Sequence, residues 1–478
     1  MASLMKVRWL PCLVITSLIL IEGIDGSRDG ELTSYFRDVF QGVSLSQMVV
    51  SNASGTEFVY VGGDSIIYRL NTDLNQMESD ETCFDPGCDT KILEVAPYPV
   101  EKLIYCGGSD GKCEFRDLTN LLRDNVDYSH IFVKEGMSVG VVTEKSATEM
   151  IMFVAQSLPA ATDRLYPITL TELQGSVTLD FYAGIQSIES GSTVEYIQGV
   201  SWMEYSYFIV HSDSQNSRLG RICAQNDQRD LDAYSEIILS CQNAQGISYS
   251  SLEAVFIDLM NDTLYGVFTN GTSSTLCSYA MTDIQEKFVD ATCGCTGSAN
   301  VDCAGTDISY LSLTCRSRSP DRPTREVVEL DENQCTSETS NGVPLYMYAQ
   351  ATINLIGNYL DTILPGQHSS LVIFKKEGTT VALVTTSSAS TPATLNKIHI
   401  QSDNTGRLYE TVELDTNGVL LKDAYINNEN EELYILTTRE VMKLAVVNCS
   451  QYETCGECLG PSNDEGDPFC GWCIFETK

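Results

Sequence analysis

The chain predicts an all-β fold, a seven-bladed β-propeller followed by a small disulfide-rich module, and three observations carry that reading. A strand–turn–strand pattern recurs seven times between residues 45 and 447. Most repeats start 45 to 57 residues apart, the length of a four-stranded propeller blade. From Cys449 on, five cysteines (Cys449, Cys455, Cys458, Cys470 and Cys473) fall within twenty-five residues, which leaves cross-links rather than a hydrophobic core to hold that segment.

The elements follow in chain order. Lys6 and Arg8 precede the apolar run Trp9 to Ile21, and Gly23, Gly26 and Ser27 come after it. A run of about thirteen apolar-biased residues is too short to span a membrane and suits a secretory signal, here residues 1–26. No later stretch approaches eighteen apolar residues. The expected location is the secretory pathway and the extracellular face of the plasma membrane, with any attachment through a span that this chain lacks.

The repeats are Phe58 to Leu70, Leu103 to Phe115, Met150 to Ile168, Tyr207 to Cys223, Leu264 to Tyr279, Val381 to Ile400 and Leu433 to Leu444. Each pairs an almost continuously apolar run with a second run across a turn rich in Gly, Ser and Thr. Continuous apolar character predicts a strand buried on both faces. One twisted sheet cannot hide both of its faces, whereas seven packed face to face in a ring can. A pair of ordinary β-sandwiches is the alternative. The fifth interval is roughly double the others, so an insertion spans about residues 282–345. It holds Cys293, Cys295, Cys303, Cys315 and Cys335 and the breaker-rich stretch Ser317 to Pro323, and it is expected to be a self-supporting excursion from the ring.

The terminal cysteines admit two chemistries. Cys455-x-x-Cys458 and Cys470-x-x-Cys473 form two knuckles at a spacing that zinc accepts. The secretory signal favours disulfides, because thiols pair in an oxidising compartment. Eighteen cysteines, one of them in the signal (Cys12), leave seventeen, and an odd number in a secreted chain means a free thiol, an intermolecular bridge or a missing partner, the last being the simplest account. Sequons at Asn52, Asn261, Asn270 and Asn448 are candidate glycosylation sites.

The formal charge of −36 repels nucleic acid and anionic membrane, so neither is expected as a partner. It serves solubility, and steering of a basic partner is the functional alternative. No enzyme is expected and no cofactor is implied. His130, His211, His368 and His399 are scattered, and no zinc-protease helix, nucleophile elbow, phosphate loop or repeated Asp-box is present. A redox role for Cys293-Gly-Cys295 is weaker than a structural one.

The quoted motifs resemble a known family. Cys470-Gly-Trp-Cys473 after Asp467-Pro468 is similar to the PSI signature, and Phe58-Val-Tyr-Val-Gly-Gly resembles the first blade of a sema domain. Lys102 to Leu118, with Cys106 and Cys113, resembles the second blade of plexins. Leu219-Gly-Arg-Ile-Cys223, with Tyr234 to Cys241, resembles the fourth. Cys473 stands where semaphorin ligands usually carry Asp, which favours plexins or the hepatocyte-growth-factor-receptor group; the Cys106…Cys113 segment then favours plexins. Cys293, Cys295 and Cys303 depart from the plexin pattern.

The resemblance implies a sema domain over residues 32–447 and a C-terminally truncated PSI domain over 448–478. It implies the disulfides Cys83–Cys88, Cys106–Cys113, Cys241–Cys277, Cys449–Cys470 and Cys458–Cys473. Cys223 would pair with Cys315 or Cys335, and Cys455 would await a cysteine beyond Lys478. The implied function is the extracellular region of a semaphorin receptor in cell-guidance signalling, with a semaphorin bound propeller to propeller. A secreted semaphorin-like ligand or decoy, or a growth-factor-receptor-type sema ectodomain, is the alternative. The ligand face would come from the third and fourth blades, about residues 130–260. There Arg164, Arg218, Arg221 and Arg229 are candidate interface anchors, because Arg is favoured at hot spots.

Overall fold

A computed structural model describes most of residues 32–295, 346–452 and 466–470. The longer stretches outside the description are 1–31, 125–132, 158–167, 175–180, 183–193, 224–234, 296–345, 453–465 and 471–478.

After β1 (Leu32–Arg37), blade 1 is β2 (Leu45–Ala53), β3 (Thr56–Gly63), β4 (Ile66–Leu70) and β5 (Gln76–Glu81). Blade 2 is β6 (Thr90–Ala96), β7 (Lys102–Gly107) and β8 (Lys112–Asp117); blade 3 is β9 (Ser138–Ser146), β10 (Glu149–Gln156), β11 (Ile168–Gln174) and β12 (Phe181–Tyr182). Blade 4 is β13 (Val194–Trp202), β14 (Tyr205–Ser212), β15 (Ser217–Cys223) and β16 (Ser235–Gln242), with the short β17 (Ser248–Tyr249) beside β16. Blade 5 opens with β18 (Ser251–Asp258), β19 (Thr263–Thr269) and β20 (Ser274–Ala280). Helix α1 (Met281–Ala291), β21 (Thr292–Cys295) and β22 (Tyr346–Ala349) intervene before its outer strand, β23 (Asn354–Tyr359). Blade 6 is β24 (Gln367–Lys376), β25 (Thr379–Ser388), β26 (Thr391–Ile400) and β27 (Gly406–Leu414), and blade 7 is β28 (Leu420–Asn427), β29 (Glu432–Thr437) and β30 (Glu440–Ala445).

The ring closes twice. The inner strands β2, β6, β9, β13, β18, β24 and β28 touch in that cyclic order, with β28 back against β2. In addition β1 pairs antiparallel with β30, from Leu32 opposite Leu444 to Arg37 opposite Glu440, so the start of the chain completes the last blade.

Each of the seven apolar runs is the second strand of a blade, and strand alternation explains why it reads as continuously apolar. On β10, Met150, Met152 and Val154 face blade 2 with Ile92, Ile104 and Phe115. Ile151, Phe153 and Ala155 face blade 4 with Tyr196, Tyr207 and Phe208. On β29, Leu433 and Ile435 pack toward blade 6, while Tyr434 and Leu436 pack toward Val59 and Tyr68 of blade 1. Removing any one such side chain opens a cavity between two blades, at a cost of about 3–5 kcal/mol for Phe→Ala.

A second repeat, invisible in composition, lies in the inner strands. The ladder skips one residue between Leu45 and Gln47, Thr90 and Ile92, Tyr196 and Gln198, Leu252 and Ala254, and His368 and Ser370. Such bulges strengthen the local twist and re-aim side chains. Ser46 Oγ donates to the Thr90 carbonyl of the next blade at 2.9 Å, and Glu253 Oε2 accepts the His368 N–H of the next blade at 3.0 Å. Ser46 and Glu253, two of the skipped residues, thus stitch neighbouring blades.

The insertion begins as the eleven-residue helix α1, and its breaker-rich stretch Ser317 to Pro323 lies outside the described residues. Met281, Ile284 and Phe288 form the buried stripe of α1 and Asp283 sits in its first turn, where the helix dipole favours a carboxylate.

Candidate interaction surface

The structure moves the candidate anchors inward. Arg218 and Arg221 lie on β15 and are only 6% and 7% exposed, so their assignment as interface anchors is corrected: both belong to the interior of blade 4. Arg218 stands 3.8 Å from the buried carboxylate of Glu236. Arg221 lies over the rings of Tyr205 and Phe288, at 4.5 and 4.3 Å, and donates to Gln285 Oε1. Gln285 in turn donates to the Tyr207 hydroxyl at 2.6 Å. Gln285 and Phe288 belong to α1, so Arg221 clamps the start of the insertion onto blade 4. Arg164 and Arg229 lie outside the described residues.

Burial of a third-strand cation recurs. Arg69 of blade 1, Arg116 of blade 2, Arg221, Lys397 of blade 6 and Lys443 of blade 7 all occupy third strands and are all buried. The three arginines lie over aromatic rings of the second strand: Arg69 on Phe58, Arg116 on Tyr105 and Arg221 on Tyr205. An aromatic at the diagonal cross-strand position is the signal that would have placed them inside. Lys397 bonds Glu410 at 2.8 Å and donates to the Val446 carbonyl at 2.9 Å, fixing the exit of the chain from the ring.

In the region expected to meet a ligand, the backbone edge of blade 4 is already occupied. β16 pairs in parallel with β23 from Ile238 opposite Asn354 to Cys241 opposite Gly357, and β23 also pairs with β20 of blade 5. A partner there must use side chains and loops rather than strand addition. The turn Gln242–Ser248 is the ordered loop on that rim. Asn243 Oδ1 accepts the N–H groups of Gln245 and Ile247 at 3.1 and 2.8 Å, and Ile247 is about half exposed.

The cysteines fall as follows. Cys106–Cys113, Cys241–Cys277 and Cys449–Cys470 are disulfides, separated by 7, 36 and 21 residues. Cys470 is thereby unavailable as a zinc thiolate. Cys88 is disulfide-bonded. Cys83, Cys458 and Cys473 lie outside the described residues, as does the side chain of Cys223. Beyond Cys449 the chain docks on blade 6: Phe469 meets Phe374 edge-on at 5.2 Å and Arg407 donates to the Gly466 carbonyl at 3.0 Å.

Among the sequons, Asn261 and Asn270 are exposed and Asn448 is half-buried, its Oδ1 accepting from Ser450 at 2.7 Å. The side chain of Asn52 lies outside the description. Of the histidines, His211 bonds the Leu252 carbonyl and His368 bonds Thr386, and burial lowers both pKa values, His368 to about 4. His130 is outside the description, and His399 lies on β26 with its pKa lowered by burial and by Arg407.

Polar groups cross the ring axis. Chambers of about 190 and 370 Å³ share Gln198, Lys422 and Asp423. Lys422 of blade 7 reaches across to the Ile197 carbonyl of blade 4 at 3.2 Å, and Asp423 accepts the Met48 N–H at 2.7 Å. Glu94 faces the smaller chamber. Burial raises its pKa to about 8, with the Asp423 charge adding to the rise and Lys422 opposing it. A lysine strut across the middle makes this axis a bolted core rather than an open pore.

No protein-family model matches the chain. It is 23% identical to Plexin-A4 of Mus musculus over 91% of its length and 26% of that protein, and 25% identical to Plexin-B3 of Mus musculus over 94% of its length and 24% of that protein. It therefore spans about a quarter of the curated relatives it matches. Among solved structures, the Plexin A4 full extracellular region superposes with a TM-score of 0.72 at 20% identity, covering 93% of this chain and 54% of that one. Drosophila Semaphorin 2a superposes at 0.62 with 14% identity, over 93% of this chain and 79% of that one. Drosophila Plexin A in complex with Semaphorin 1b gives 0.59 at 11% identity, over 91% of this chain and 90% of that one. Seven blades in a doubly closed ring give the chain the fold of the plexin and semaphorin extracellular regions, and its sequence is similar to plexins along nine-tenths of its length.

Proposed function

We propose that this chain is the ligand-binding region of a plexin-like receptor at the cell surface, binding a semaphorin through contact between two propellers. Likeness to Plexin-A4 over 91% of the chain carries the reading. On this reading residues 32–447 are the sema domain, 448–478 begin a PSI domain, and 1–26 direct the chain into the secretory pathway. The disulfides Cys241–Cys277 and Cys449–Cys470 suit that compartment.

The ring offers a rigid scaffold, and its third and fourth blades offer the rim to the partner. There the Gln242–Ser248 turn supplies an ordered polar loop with one apolar tip, Ile247. Polar contact over a large area gives moderate affinity. The chain performs no chemistry; signalling follows from which receptors the ligand holds together. The charge of −36 speeds encounter with a basic partner surface, so the association rate falls as salt rises.

A secreted semaphorin-like ligand is the second reading, favoured by the fold shared with Semaphorin 2a. Residues 27–478, produced in animal cells, would be sedimented and then tested by interferometry on immobilised semaphorin ectodomains. A monomer that binds saturably is expected. A dimer that binds no semaphorin overturns the receptor reading in favour of the ligand.

A further inference from the structure

Two hairpin tips stand side by side on the face of the ring where inner strands turn into second strands. The blade 4 tip carries Met203, and the blade 5 tip runs from Leu259 to Asp262. Trp202, itself buried, donates its indole N–H to Asp262 Oδ1 at 3.0 Å and so ties one tip to the other. The first N–H of α1, at Met281, donates to the Asp262 carbonyl at 2.8 Å. Met203 and Asp262 both hold left-handed backbone, at φ of 51° and 46°, a conformation that persists for such residues only where the surroundings enforce it.

This rigid pair of tips turns apolar side chains outward. Met203 is 66% exposed, Leu259 65% and Met260 88%. Leu259 also lines the larger axial chamber, so the patch adjoins the mouth of the ring. Exposed clusters of large apolar side chains are docking surfaces or aggregation liabilities. A chain of net charge −36 opposes association with a second copy of itself.

The sequon Asn261-Asp262-Thr263 lies inside the patch, and Asn261 is exposed. Its Nδ2 donates to Asp258 Oδ2 at 3.0 Å, a carboxylate also held by Lys375. N-glycosylation replaces one of the two Nδ2 hydrogens and leaves the other. The hydrogen that remains is still available to Asp258, and the sugar leaves Nδ2 from a tip whose chain neighbours are the exposed Met260 and Leu259. We infer that Asn261 carries an N-linked oligosaccharide whose first sugar rings cover the Met203–Leu259–Met260 patch, the C–H faces of the pyranoses lying on the apolar side chains. In the transfer, Nδ2 bonds the anomeric carbon of a lipid-linked pyrophosphoryl oligosaccharide. The carbon–oxygen bond to the pyrophosphate breaks, the lipid pyrophosphate leaves, and the Nδ2 proton passes to a base of the transferase.

Asn270 is the internal control. It sits at the far end of β19, in a turn where its Oδ1 accepts from Thr272 N, Thr272 Oγ1 and Ser273 N, and its turn neighbours Thr269, Gly271, Thr272 and Ser273 include no large apolar side chain. The inference rests on the secretory reading above, and the test separates the two. The full chain would be secreted from animal cells, its glycopeptides mapped by mass spectrometry, and an environment-sensitive apolar dye titrated against the folded protein. Asn261 is expected to be occupied. Asn261→Gln and Thr263→Ala, which both destroy the sequon, are expected to raise dye fluorescence severalfold, as is enzymatic removal of glycan from the native protein. Thr263→Ser, which keeps the sequon, and Asn270→Gln should leave it unchanged. Adding Met260→Ser and Leu259→Ser to Asn261→Gln should return it to the starting level. Secreted protein with Asn270 occupied and Asn261 bare overturns this inference alone, as does unchanged fluorescence after glycan removal. A chain that is not secreted and carries no glycan overturns the secretory reading and this inference with it.

Discussion

Blade 2 and blade 4 are built from the same repeat and held by opposite means. Blade 2 is secured locally. Its disulfide, Cys106–Cys113, joins directly paired residues of one hairpin, and its buried Arg116 finds Glu114 two residues away on the same strand, with Asp80 of blade 1 beside it. Blade 4 is secured from a distance. Cys241 bonds Cys277 of blade 5, the Tyr279 hydroxyl of blade 5 donates to the Ser240 carbonyl at 2.7 Å, and Arg221 reaches α1 with no carboxylate among the contacts described. With β23 hydrogen-bonded to both, blades 4 and 5 form one nine-stranded sheet. The insertion therefore leaves the ring where two blades are fused, so a long excursion need not loosen the propeller.

Substitutions test this contrast. The largest effect belongs to Arg116→Met. It strips a buried carboxylate of its main partner and leaves only Arg123, at 2.8 Å, on Glu114. Loss of one member of a buried pair costs about 3–5 kcal/mol, to be read from urea unfolding. Next comes the disulfide pair. Replacing Cys241 and Cys277 by serine releases a loop of 36 residues, and replacing Cys106 and Cys113 releases one of 7. Chain entropy assigns about 4 and about 2 kcal/mol to these losses. Equal losses would remove the distinction between local and distant ties. Arg221→Met keeps the stem between Tyr205 and Phe288 and leaves no charge orphaned, so about 1–2 kcal/mol is expected. A cost equal to that of Arg116→Met would show that the two arginines are alike after all.

pH dependence supplies a further test. Glu94, on the inner strand of blade 2, meets Lys422 and Asp423 of blade 7 in the axial chamber, and its pKa is raised to about 8. A carboxyl that holds its proton more tightly when folded destabilises the fold as pH climbs from about 4.5, where the unfolded group ionises, to about 8. His368 acts in the other direction. With its pKa lowered to about 4 by burial, its contribution is intact above about 6.5 and lost as pH falls from there toward about 4. Melting temperatures across a buffer series should therefore peak in mildly acidic to neutral solution. Glu94→Gln should flatten the alkaline limb and His368→Gln the acid limb. An alkaline limb unchanged by Glu94→Gln would place its origin elsewhere.

What was legible in the sequence follows from burial. Second strands such as Met150 to Ala155 are apolar on both faces because each face meets another blade, and that leaves a run no turn or surface strand imitates. Inner strands such as Ser138–Ser146 mix polar and apolar residues because one end bulges and polar groups line the smaller axial chamber, so composition does not mark them. Completion of blade 7 by Leu32–Arg37 is a pairing between opposite ends of the chain, and nothing local announces it. Arg218 and Arg221 read as surface charges because a lone cation in an acidic region ordinarily is one. Their burial depends on Glu236, Tyr205 and a helix more than sixty residues away. The spacing of Met281, Ile284 and Phe288 at i, i+3 and i+7 is the local signal of that helix, and the sequence reading, drawn to the cysteines and turn residues that follow, does not use it.

On the proposed function, a semaphorin meets this ring on the rim of its third and fourth blades. Hydrogen exchange of the secreted chain, alone and with a saturating semaphorin ectodomain, tests it most directly. Protection is expected to concentrate within residues 130–260, including the turn 242–248, with blade 6 and the Cys449–Cys470 segment unchanged. Protection confined to blades 6 and 7, or no protection at a concentration that saturates binding to a plexin ectodomain run beside it, would contradict it.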